Sequence, residues 1–127
     1  MTSMRSPMAR ARGLGSAKDG TTHWWAQRLS ALALIPLVVW FVASMVAMTG
    51  ADYVTVRAWI GSPLVAGLLI LLIATVFYHA HLGLQVVVED YVHHEATKFG
   101  AIIAIKALAI VLSLTGVLAV LSILFGA

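Results

Sequence analysis

Between Leu29 and Met48 the chain runs twenty residues without a charged side chain, and residues 62–88 and 99–125 repeat the pattern with Lys106 as their single charge. At about 1.5 Å of rise per residue, twenty helical residues span roughly 30 Å, the hydrocarbon thickness of a bilayer. In lipid every backbone N–H and C=O must be satisfied within the segment, so an apolar block of this length forms a helix. The chain therefore predicts an all-α integral membrane protein with three transmembrane helices, over about 29–48, 62–88 and 99–125. A water-facing fold is excluded by size: 127 residues, 61% hydrophobic and 10% charged, bury too little volume to hide so much apolar surface.

Charge sets the expected topology. Five of the eight basic residues (Arg5, Arg10, Arg12, Lys18 and Arg28) precede or open the first block, which is the positive-inside pattern and not a nucleic-acid patch. Residues 1–22 are polar, with Gly13, Gly15 and Gly20, and read as a flexible basic arm on the cytoplasmic side of a bacterial inner membrane. A basic arm whose one acid is Asp19 also fits a transit peptide for the mitochondrial inner membrane. The transmembrane domain then occupies residues 23–127, with loops at 49–61 outside and 89–98 inside and an external C-terminus. Trp24, Trp25, Trp59 and Tyr91 flank the blocks as interfacial anchors. Pro36 lies inside the first block and Pro63 opens the second. Ala43 and Ala47, Gly100 and Ala104, and Ala109 and Ser113 stand four apart and permit close helix approach. Three helices make a thin bundle, which points to completion by a partner subunit.

The ionisable residues within the blocks carry the chemistry. His79 lies deep in the second block, and imidazole there fits either a haem axial ligand or a hydrogen bond to another helix. Gly83, one turn on, removes side-chain bulk where a flat macrocycle could lie. Asp90 follows His79 by eleven residues, almost three whole turns, so His79, Gly83, Val86 and Asp90 share one face. His81 stands about 200° around the helix and reads as a polar contact to a partner. His23, Arg28 and Ser30 cluster at the inner end of the first block. Arg28 there fits snorkelling to lipid phosphate, a haem propionate partner, or a group polarising a quinone carbonyl. Lys106 reads as snorkelling or as neutralising Glu89, Asp90 or Glu95. His93 and His94 read as solvated loop residues. Cysteine is absent, so no iron–sulfur cluster is built from this chain alone. There is no glycine-rich nucleotide loop and no nucleophile constellation, so substrate chemistry is not expected of this chain by itself.

The stretch from His79 through Gly83 to Glu89-Asp90-Tyr91-Val92-His93 resembles the small hydrophobic membrane-anchor subunit of succinate dehydrogenase, respiratory complex II: a His, a Gly four later, and an Asp-Tyr pair beginning eleven after the His. The resemblance covers nearly the whole chain. It implies a chain that is not an enzyme on its own but works with a cytochrome b-type anchor subunit, an iron–sulfur subunit and a flavoprotein subunit. It further implies that His79 is one axial ligand of a shared haem b, that Tyr91 bonds a ubiquinone carbonyl with Asp90 in support, and that His23 to Ala31 lies near the haem propionates. Two other readings of the residues stand beside it: the anchor of a fumarate reductase, and a small homo-oligomeric transporter or channel.

Overall fold

The computed structural model describes residues 4, 6–8 and 18–126. Its helices are α1 (Lys18–Ala47), α2 (Tyr53–Ile60), α3 (Pro63–Tyr91) and α4 (Glu95–Leu124). Three of them are long and apolar enough to cross a membrane, as expected: Gly20–Ala47, Pro63–Tyr91 and Glu95–Leu124. Each extends past its apolar block at one end only, because charged side chains are tolerated in the headgroup region. Most of the basic arm expected over residues 1–22 lies outside the described residues. Its last part does not, and there the chain is already helical from Lys18. α1 continues through Pro36, whose missing N–H leaves the carbonyl of Leu32 without its helical partner.

The connection at 49–61 is not a simple loop. Gly50 turns the chain with φ of 83°, a left-handed conformation that favours glycine. Asp52 then caps α2 by accepting a hydrogen bond from the Thr55 backbone N–H at 2.9 Å. Hydrogen bonding from Thr55, its side chain first and then its backbone, holds the Asp52 carboxyl below the usual carboxylate range. A lowered folded value means the cap is fully present above the free carboxyl's value of 3.8 and is lost as pH falls through the folded value. Asp52→Ala is therefore expected to speed amide exchange at Thr55 several-fold at neutral pH, with the difference vanishing in strong acid. Equal exchange in the two proteins at neutral pH would show that the cap contributes nothing to α2.

The turn at the other end is shorter than expected. α3 runs to Tyr91, and residues 92–94 alone join it to α4. His94 caps α4, with its Nδ1 accepting from the Thr97 backbone N–H at 3.3 Å.

Packing is uneven along the helices. α3 lies between α1 and α4, which make no close backbone approach to each other, so the spans form an open row and not a closed triangle. The buried core (Ala66, Leu69 and Val120, with Trp40, Phe41, Trp59 and Ile60 against it) sits at the end carrying α2. Trp59 stacks on Trp40 with centroids 5.9 Å apart, so it is a packing residue more than a membrane anchor. Gly116 permits the α3–α4 approach: a Cβ there would lie 3.2 Å from the Ile73 side chain. Of the small pairs read from sequence, Ala43 and Ala47, and Gly100 and Ala104, are exposed and free for other contacts. Ser44, Thr75 and Thr115 satisfy their hydroxyls on carbonyls of their own helices, at 2.7–2.8 Å. The most apolar windows of the three spans are only 11%, 17% and 6% buried within the chain. That leaves the remaining surface to lipid and partners.

Candidate functional site

One stripe of α1 faces α3. It runs His23, Gln27, Ser30, Leu34, Leu37, Phe41 and Ser44, spaced three or four apart as a helical face requires. Its half nearest α2 is mainly apolar and joins the core. Its other half is polar, and a polar surface turned inward within a membrane is costly unless something satisfies it.

Ser30 is buried, with 7% of its surface exposed. Its Oγ donates to the Gln27 carbonyl at 3.0 Å and lies 2.9 Å from Nδ1 of His79 on α3. This is the side-chain hydrogen bond that ties α1 to α3 among those the described residues make. Gly83 stands one turn beyond His79. A Cβ there would lie 3.5 Å from Nε2 of Gln27, so the Gln27 amide rests against the α3 backbone. Two polar atoms in this seam, Nε2 of His23 and Oε1 of Gln27, are buried and have no hydrogen-bond partner. Buried polar atoms are otherwise paired, so an orphan of this kind marks a water, a partner or a ligand.

The residues expected at the site thus separate. His23, Ser30 and His79 come together along one seam, and Gln27 joins them. Sequence reasoning passed over Gln27, although its spacing of four from His23 and three from Ser30 marks the face they share. Arg28 does not join. It lies well around α1 from that face, with its guanidinium 5.3 Å from the centre of the exposed Trp24 ring. Asp90 and Tyr91 occupy the last turn of α3, roughly 16–18 Å along the axis from His79, and both are exposed. Glu89 bonds Nε2 of Gln85 at 2.9 Å, whereas Asp90 has no partner among the described residues. Two carboxylates at the negative end of a helix dipole, with no base in the last turn, are unfavourably placed within this chain.

His81 belongs to the other seam. It meets Tyr78 edge-on at 5.2 Å and, with Lys106, Ala109 and Ser113, lines a cavity of about 350 Å³ between α3 and α4. Lys106 neutralises none of the carboxylates considered for it. Among the described residues the ion pair is Lys98 with Glu95, at 3.5 Å.

The seam fits one side of a haem site. No group of three or more ligating side chains occurs among the described residues, so His79 stands as a single imidazole. Its Nδ1 is engaged and its Nε2 makes no hydrogen bond, while the orphaned His23 Nε2 is a polar atom suited to a propionate.

Over residues 2–125 the chain matches the family described as succinate dehydrogenase/fumarate reductase transmembrane subunit. It is 33% identical over 117 residues to the succinate dehydrogenase hydrophobic membrane anchor subunit of Rickettsia bellii, covering 91% of this chain and 93% of that one. It is 30% identical over 100 residues to the subunit of the same name from Paracoccus denitrificans, covering 79% and 78% of the two chains. Against the succinate dehydrogenase membrane anchor subunit of Reclinomonas americana it is 30% identical over 96 residues, covering 73% and 80%. No solved structure matches. These relatives are named as anchors and not as catalytic subunits, and the chain belongs to the succinate dehydrogenase/fumarate reductase transmembrane subunit family.

Proposed function

We propose that this chain is the hydrophobic anchor of a succinate:ubiquinone oxidoreductase, supplying one axial ligand of a haem b and part of a ubiquinone site. The observation that carries the reading is the His79 imidazole, held through Nδ1 by a buried serine with Nε2 left unbonded. A homo-oligomeric channel would need an acidic group or polar stripe lining a water path, whereas the polar stripe here is turned against α3.

Each residue has a distinct task. His79 would hold the haem iron from this chain's side, jointly with a cytochrome b-type partner. When bound, haem would supply a one-electron store. His23 donates through Nε2 to a propionate. Tyr91, at the end of α3, donates its phenol O–H to one ubiquinone carbonyl and stabilises the negative charge that builds on that oxygen. Asp90 orients that donor or pairs with a partner cation, which offsets its unfavourable place at the helix terminus. Electrons reach this site from a flavoprotein subunit through an iron–sulfur subunit, both docked on the side of Asp90 and Tyr91.

The test is purification of a tagged chain from its native membrane. Co-purification of flavin, iron–sulfur and cytochrome subunits with a succinate-reducible b-type band is expected. A homo-oligomer without flavin would overturn the assignment.

The basic N-terminal region supports a docking side in the cytoplasm, at a bacterial inner membrane, by the positive-inside pattern. A reporter fused after Ala127 should then behave as external. A cytoplasmic signal there would mean an even number of crossings.

A further inference from the structure

Ser30 differs from three other hydroxyls of the spans. Ser44, Thr75 and Thr115 bond only their own helices, whereas Ser30 also meets a side chain on another helix. A hydroxyl has one proton to donate and two lone pairs to accept with. With that proton on the Gln27 carbonyl at 3.0 Å, the contact of 2.9 Å to His79 is satisfied by the tautomer whose Nδ1–H donates to Oγ. An imidazole that ligates a metal is neutral, so with its proton on Nδ1 its lone pair lies on Nε2.

We infer that Ser30 is the positioning residue for the His79 ligand: it selects the tautomer with the lone pair on Nε2 and fixes the ring plane. This rests on the reading of His79 as an axial ligand. The Gln27 carbonyl is the brace. By taking the hydroxyl proton it locks the rotor with a lone pair turned to α3, and the burial of Ser30 keeps water from replacing it. A bonded Nδ1–H also makes the imidazole a stronger donor, which favours the oxidised iron. Ser30 touches neither iron nor quinone and acts through His79.

The experiment uses the assembled complex from native membranes, with Ser30→Ala, Ser30→Thr and His79→Ala compared. The readouts are haem retained per flavin, the haem midpoint potential, and the low-spin electron paramagnetic resonance signal. Ser30→Ala should raise the potential, broaden the signal and weaken haem retention about tenfold. Ser30→Thr, which keeps the hydroxyl, should stay close to the native values. His79→Ala should lose the native signal altogether. If His79→Ala loses the signal while Ser30→Ala leaves potential and retention unchanged, the positioning role is wrong and the ligand reading stands. If His79→Ala keeps both spectrum and potential, the ligand reading fails and the inference falls with it. A purely structural Ser30 would change the thermal stability of the complex without moving the potential. Should Ser30→Ala not assemble, Ser30→Cys carries the same test, since a thiol is a near-isostere and a poor acceptor.

Discussion

Replacing His79 with Ala is expected to abolish or grossly perturb the b-type haem spectrum of the complex. The substitution removes this chain's ligand: Ser30 and Gln27 offer only oxygen and amide groups, and the imidazole of His23 stands two turns from Ser30, roughly 10 Å along α1. His81 cannot substitute. It points into the cavity between α3 and α4, on the other side of the helix. Its own replacement by Ala should therefore spare the iron. The fold should survive the loss of His79, since the Ser30 hydroxyl keeps its bond to the Gln27 carbonyl and no buried donor is orphaned. The measurement is a reduced-minus-oxidised spectrum with a redox titration. A native spectrum and potential in His79→Ala would remove His79 from the iron. Succinate oxidation by a soluble dye, measured in the same preparation, reports whether the rest of the complex has assembled.

The second large effect is expected at Tyr91. Tyr91 is 78% exposed in this chain, in the last turn of α3, where the apolar span gives way to charged residues. An amphipathic quinone headgroup favours the same depth. An aromatic anchor in the interfacial belt would sit there too, and Tyr91→Phe separates the two roles. The ring is retained, so a belt residue tolerates the change. A quinone donor loses its one hydrogen bond, which costs about 1–2 kcal/mol, or several-fold to about tenfold in rate. The readout is ubiquinone reduction divided by dye reduction in one preparation. An unchanged ratio would take Tyr91 out of the quinone site.

The spans were legible because hydrocarbon thickness and backbone hydrogen bonding leave so few options for an uncharged block of this length. The depth of His79 was legible for the same reason, as was its shared face with Gly83. Helix ends were not. An apolar window marks where lipid begins, whereas an end is set by its cap. Asp52 with Thr55 is a recognisable cap that passes unnoticed in a segment read only for charge. A capping histidine such as His94 is outside the usual set of capping residues. Gln27 was hidden because a neutral amide adds nothing to a charge count, although its register with His23 and Ser30 betrays it. Arg28 was drawn toward the site by proximity in sequence. About 100° of helix rotation separates it from Gln27, and the flat face of Trp24 provides a nearer partner.

Three rods joined side by side along two seams behave as a folded card, with α3 as the spine and α1 and α4 as the leaves. At the end carrying α2 the card is pinned, because Trp59 stacks on Trp40 of α1 while α2 also packs against α3 and α4; away from that end the leaves do not meet. The Ser30–His79 bond lies on one crease and the cavity of His81 and Lys106 on the other. The two creases are therefore separate contacts, bound together at one end and apart at the other. The space between the leaves at the end away from α2 is left to whatever grips the card from outside.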